Sequence, residues 1–303
     1  MEKDNTFAGL TACADLGKLD ADIALLGIPY ATHYQPQKPP HSLNAPQVIR
    51  RESNRYPDDP LAWDFDYDGT LLGASSKKIA DCDDLPGSQQ DPAGNRARIQ
   101  DAIATILAKN AIPVILGGDD SVPIPVMRAY SGSESFTVLQ LDAHIDWRDQ
   151  VAGVRDGYSS TMRRASELGC VSGIIQAGIR GVGSARSQER QAALDYGAHI
   201  IPARTIMREG IDPILQHLQP GSCCFLTIDF DVLDPSIMPA VGAPTPGGLD
   251  YLTVIDLIHA LAARNTIIGV CLVEFVPEAD LHNLGAITAM RIVWNILAAL
   301  ANN

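Results

Sequence analysis

Short apolar runs alternate along this chain with longer stretches in which apolar residues return every third or fourth position. The runs Ile23–Gly27, Ile112–Leu116, Thr137–Leu141, Gly173–Gly178, Cys224–Ile228 and Ile267–Val273 have the length and composition of strands. Between them, Ala93–Asn110 places Ile99, Ile103, Ile106 and Leu107 on one helical face. Ser184–Tyr196, closed by Gly197, and Tyr251–Arg264 also predict helices, and the chain ends in a long apolar helix, Gly285–Ala301. This alternation predicts an α/β fold, three layers (αβα) deep, around a central and mainly parallel sheet. The stretch Pro29–Ser88 breaks the pattern: rich in Pro, Asp and Ser, it predicts loops over the sheet with one short helix, Ala45–Glu52. No linker or repeat divides the sequence, so residues 1–303 are expected to form one domain.

Composition narrows the function classes. With 46% apolar residues the chain can bury a sizeable core. No run of eighteen apolar residues is present and the acidic N-terminus lacks a basic-then-apolar signal pattern, so no membrane span and a cytoplasmic location are expected. A formal charge of −13 argues against a nucleic-acid partner. It mildly favours cationic small molecules, although solubility alone accounts for much of it. Cys13, Cys82, Cys170, Cys223, Cys224 and Cys271 show no CxxC spacing and describe neither a disulfide scaffold nor a zinc ribbon. Cys223 and Cys224 should point to opposite faces of a strand.

Chemistry gathers where strands end. Gly117-Gly118-Asp119-Asp120-Ser121, Asp142-Ala143-His144-Ile145-Asp146 and Asp229-Phe230-Asp231-Val232-Leu233-Asp234-Pro235 each come directly after a predicted strand. In an open parallel sheet, ligands sit beyond the carboxyl ends of the strands, so the three clusters aim at one place. Crowded carboxylates raise one another's pKa unless cations compensate them. Oxygen-rich ligation with one imidazole suits a hard or borderline divalent ion, and two such ions make hydroxide available near neutral pH. Singly, each motif is as often a solvated loop, and a lone His144 is more often a satisfied core residue. Three together favour a metal site.

These motifs resemble those of the ureohydrolase (arginase/agmatinase) family. Val241–Leu249 (VGAPTPGGL), Leu272–Pro277 (LVEFVP) and Gly178-Ile179-Arg180-Gly181 extend the likeness from about Ile23 to the C-terminus. The resemblance implies an arginase-like fold and two divalent ions, Mn2+ by default and Ni2+ as the alternative. It implies Asp142 and Asp229 as bridging ligands, with Asp146 on one metal and His144 and Asp231 on the other. Glu274 would hold a guanidinium, and hydroxide on the metals would attack its carbon, releasing urea or a substituted urea and an amine. Homotrimers or homohexamers are implied as well.

Three departures stand out. The family's first ligand is a histidine, and here that position is Asp120, whose oxygen lies as many bonds from Cβ as an imidazole Nδ1; Asp120 is expected to ligate. The family's proton-shuttling histidine after DAHxD is absent from Asp156–Arg164. The proton source would then be Tyr158, a metal-bound water, or a histidine of another loop: His282, His33 or His41. The candidate catalytic residues are thus Glu274, Asp146 and His282, and the candidate substrate contacts Glu274, Tyr158 and Trp147, although core packing is an equal expectation for Trp147. The atypical loop Ala31–Asn44 should border the entrance and shift the substrate from plain arginine or agmatine towards guanidinobutyrate, an alkylguanidine or a biguanide. The alternative is a metal-poor, non-catalytic subunit paired with an active paralogue in a hetero-oligomer.

Overall fold

The computed structural model describes residues 6–35, 37–55 and 62–303. Its strands are β1 (Thr11–Ala12), β2 (Ile23–Ile28), β3 (Ile79–Asp84), β4 (Ile112–Gly117), β5 (Phe136–Leu141), β6 (Val171–Ile179), β7 (His199–Pro202), β8 (Cys223–Asp229) and β9 (Thr266–Val273). They pair in parallel throughout, in the order β1-β3-β2-β4-β9-β8-β5-β6-β7. Helices α1 (Ala45–Ser53), α6 (Ala203–Glu209), α7 (Asp212–Leu215), α8 (Tyr251–Arg264) and α9 (Leu284–Asn302) pack on one face. The other face carries α2 (Pro92–Ala108), α3 (Pro123–Arg128), α4 (Thr161–Ala165) and α5 (Ser187–Tyr196). The three expected layers are present.

Strand side chains divide between the two faces by alternation. Ile23 and Leu25 of β2 join the first core, while Ala24, Leu26 and Ile28 join the second. Cys224 and Cys223 separate the same way, and all six cysteines are free thiols. Every predicted strand and helix is found with ends shifted by a few residues at most, and α8 spans the predicted range. The predicted loop region Pro29–Ser88 needs correction, since its end forms β3, a fully paired inner strand. The edge strands β1 and β7 also went unpredicted.

The terminal helix bears on the membrane expectation. By length and hydropathy alone α9 would pass for a membrane span, but 83% of its most apolar window is buried inside the fold. Its apolar surface belongs to the first core.

Candidate functional site

The carboxyl ends of β4, β9, β8 and β5 lie side by side at the middle of the sheet. Asp142, Asp229, Asp120 and Glu274 follow or close these strands, and all four are buried. Their neighbours Asp146, His144 and Asp231 come from the turns immediately after β5 and β8. Ligand atoms of Asp142, His144 and Asp231 lie within 4.8 Å of one another, and so do those of Asp120, Asp142 and Asp146. Asp142 belongs to both groups.

Hydrogen bonds fix the acids. Gln140, on β5, donates to Asp142 Oδ2 at 2.7 Å and to Asp146 Oδ2 at 3.0 Å. Gln176, on β6, donates in turn to Gln140 Oε1 at 2.6 Å and to the Ile145 carbonyl at 2.7 Å. The His144 amide donates to Asp142 Oδ1 (2.5 Å), the Ala143 amide to Asp231 Oδ1 (3.0 Å), and the Asp231 amide to Asp229 Oδ1 (2.8 Å). His144 Nδ1 lies 2.9 Å from Asp231 Oδ2. Asp120 Oδ2 is buried without a hydrogen-bond partner, as is Gln176 Oε1 in the supporting layer.

Such crowding is costly for bare carboxylates. Burial first, and then the charge of Asp146, pushes the Asp120 carboxyl well above its ordinary range. Asp142 is raised by burial and by Asp146 and Asp229, and Asp229 by burial and by Asp231. Burial also raises Asp146. For His144, burial works against a charge, but Asp231 outweighs it and raises the ring pKa. Acids that resist ionisation together become good ligands once divalent cations replace their protons. The oxygen-rich donor set with one imidazole, and the unpartnered Asp120 Oδ2, fit two hard or borderline ions.

Glu274 sits beside this cluster on a backbone with φ of 69°. Its Oε1 accepts from the Asp120 amide at 2.8 Å, and its Oε2 is 2.5 Å from His41 Nε2. Burial raises the Glu274 carboxyl, with the His41 contact acting against it. Burial disfavours a charge on His41, yet Glu274 outweighs it and lifts the ring to about 9.

A cavity of about 480 Å³ opens over these groups. His41, Tyr158, Trp147, Arg148, Gly242 and Glu274 contribute to its wall, with His144, Asp146, Asp229 and Asp231 at the acidic end. Tyr158 is held edge-on by Tyr34 (ring centroids 4.3 Å apart) and by His41 (5.7 Å). Tyr34 accepts from the Ser159 amide at 3.1 Å, which ties the loop after β2 to the loop after β5. Trp147 is buried in the second core against Tyr196 and also lines the cavity. Outside the cavity lining, Arg180 donates to the carbonyls of Gly178, Asp231, Val232, Leu233 and Thr245. That guanidinium joins the ends of β6 and β8 to the VGAPTPGGL turn. Gly178, at φ of 101°, lets the strands close up: a Cβ there would stand 2.9 Å from the Asp142 carbonyl oxygen.

One predicted site residue lies elsewhere. His282 is exposed, outside the cavity lining, at the turn where Asp280 accepts from the amides of Leu281, Gly285 and Ala286 and so caps α9. The chain has already turned outward at Pro277. His41 holds the place beside Glu274 instead, and Gln140 and Gln176 complete the site as supports that sequence reasoning missed. A larger cavity of about 810 Å³ between α1, the end of β3 and Glu278 contains no histidine, and its Arg50 is already paired with Asp84.

Residues 21–299 match the Arginase family. An N(1)-aminopropylagmatine ureohydrolase of Thermus thermophilus is 35% identical over 187 residues, so the matched stretch spans only 61% of this chain and 61% of that protein. An agmatinase of Pyrococcus horikoshii is 29% identical over 93% of each chain. The fold is shared with a formimidoylglutamase of Bacillus subtilis, at TM-score 0.84 and 22% identity over 98% of this chain and 92% of that one.

Proposed function

This chain belongs to the arginase family, and from that premise we propose that it is a ureohydrolase. It would cleave a carbon–nitrogen bond of a small guanidino compound of the guanidinobutyrate, alkylguanidine or biguanide type. The observation that carries this is the pair of ligand groups sharing Asp142. Asp142, Asp229, Asp120, Asp146, His144 and Asp231 would hold two divalent ions. When bound, the ions would supply neutralising charge and acidify a bound water, with Mn2+ the first choice and Ni2+ the alternative.

The protein's own groups do the rest. Glu274 faces the cavity as a carboxylate suited to a planar cation with paired N–H donors. Tyr158 and Trp147 supply apolar walls for the substituent and limit water around it. The acidic end attracts the guanidinium, and Arg180 ties the end of β8, which carries Asp229 and Asp231, to the end of β6. The ligand set argues against a non-catalytic, metal-poor subunit. Trimeric or hexameric assembly in the cytoplasm is part of the same proposal.

The test is a screen for urea or substituted urea across guanidino compounds, with protein loaded with Mn2+ or with Ni2+. Release from at least one compound is expected, and Asp142→Asn or Asp229→Asn should lose both metal and product. A loaded protein silent on every compound, or full activity in either variant, removes the proposal.

A further inference from the structure

The proposed reaction sets a proton problem that the carboxylates and metals do not solve. Water and a guanidinium, R–NH–C(NH2)2+, give urea and an ammonium, R–NH3+. The water oxygen bonds to the guanidino carbon, the bond from that carbon to the substituted nitrogen breaks, and its electron pair stays on the nitrogen. That nitrogen arrives with one hydrogen and leaves with three, so both protons of the water must travel to it. A carrier in the cavity has to give up a proton and take one back.

Most groups around the cavity are unsuited to this. Asp146, His144, Asp229 and Asp231 belong to the ligand set. Burial, then the charge of Glu274, holds the Tyr158 hydroxyl up at about 12, which makes it a poor acid near neutrality. Arg148 is a guanidinium that keeps its protons. Glu274 has both oxygens engaged, by the Asp120 amide and by His41.

Resting on the ureohydrolase reading, we propose that His41 is the catalytic proton carrier, passing protons from the attacking water to the departing nitrogen. The geometry supports it from each side. Its Nε2 is 2.5 Å from the carboxylate that would seat the guanidinium, so the ring stands at the edge of the reacting group. Glu274 after β9 and the Asp119 carboxylate after β4 provide the negative charge that keeps a proton on the ring. Tyr158, after β5, packs edge-on against it, and His33 of its own loop lies 6.0 Å away between ring centroids. Gly242 presents no side chain, and a Cβ there would touch both partners, at 3.4 Å from Glu274 Oε2 and 3.6 Å from His41 Nε2. The loop is also anchored, because the Thr32 amide donates to the Ser121 hydroxyl at 2.8 Å and Tyr34 lies under Gly157. His41 is therefore held at the reacting end by contacts on both sides of its loop.

The experiment compares wild type, His41→Gln and His41→Ala on guanidino substrates with leaving amines of graded basicity. His41→Gln keeps an N–H for Glu274 but cannot carry protons. We expect its kcat to fall about 100- to 10,000-fold, the size of a lost general acid–base, with the steepest loss for the most basic leaving amine. Bound metal and the calorimetric affinity for guanidinium chloride should stay within a few fold. Imidazole in the buffer should restore part of the rate of His41→Ala. The assignment is overturned if His41→Gln retains its kcat, if the loss is the same for every leaving amine and imidazole restores nothing, or if the variant loses metal or guanidinium binding. A wild type that releases no urea from any substrate overturns the ureohydrolase reading as well, which separates the two failures.

Discussion

Gln140 decides how two acids of the floor point, since one amide group serves both Asp142 and Asp146. Gln140→Leu keeps the volume and removes that support, and metal affinity should fall about 10- to 100-fold, as for other groups that orient ligands; metal titration checks it. An unchanged affinity would show that the acids orient themselves. Asp120→His should move the preference between Mn2+ and Ni2+ towards Ni2+, because imidazole suits nickel better than a further carboxylate does. Competition between the ions reads this, and unchanged preference and content would take Asp120 out of the ligand set. Among single residues, the sequence exposed those placed directly after a strand. The candidate ligands were legible because each sits at a strand tip, where position along the chain becomes position in space. His41 could not, because it reaches Glu274 across 233 residues of sequence through a loop with no periodicity. His282 was misplaced for the converse reason, being near Glu274 in the chain but carried outward by the cap of α9.

Among the elements, β3 shows why a polar segment can hide an inner strand. Asp81 is buried in it and receives the Arg50 guanidinium of α1, with Nε 2.9 Å from Asp81 Oδ2 and Nη2 3.0 Å from Oδ1; Arg50 also binds Asp84. In sequence, IADCDD reads as loop, because no local pattern announces that a distant arginine will match its acids. The apolar strands and α8, whose burial shows as periodicity, were legible almost to the residue. The buried pair also makes a stability prediction. Arg50→Met leaves Asp81 uncompensated inside the protein and should cost about 3–5 kcal/mol, read as a lower denaturant midpoint. A midpoint like that of wild type would mean that β3 is held by its neighbours alone.

For the whole molecule, the raised carboxyls link metal, protons and stability. A group whose folded pKa lies above its unfolded value binds more protons in the folded state, so stability falls as pH rises past the unfolded value. Asp120, Asp142, Asp146 and Asp229 all shift this way from the ordinary 3.8. Chelated protein should therefore melt at progressively lower temperature between pH 5 and pH 8 (roughly the range above that ordinary value), and added Mn2+ or Ni2+ should raise the melting point most at the alkaline end. Thermal melts at several pH values, with and without ion, check this; a metal-independent melting point would dissociate the acids from any cation.

The Arg180 clamp fixes the backbone behind the acidic floor and leaves the entrance loop as the adjustable part of the site. Five carbonyls gathered on one guanidinium leave the backbone after β8 little freedom to vary without disturbing Asp229 and Asp231. His41 and Tyr34 of the loop after β2, by contrast, meet the site through side chains. Exchanging that segment can change which cations are admitted while the acidic floor stays in place, so a shift of diet within this scaffold should be sought there first.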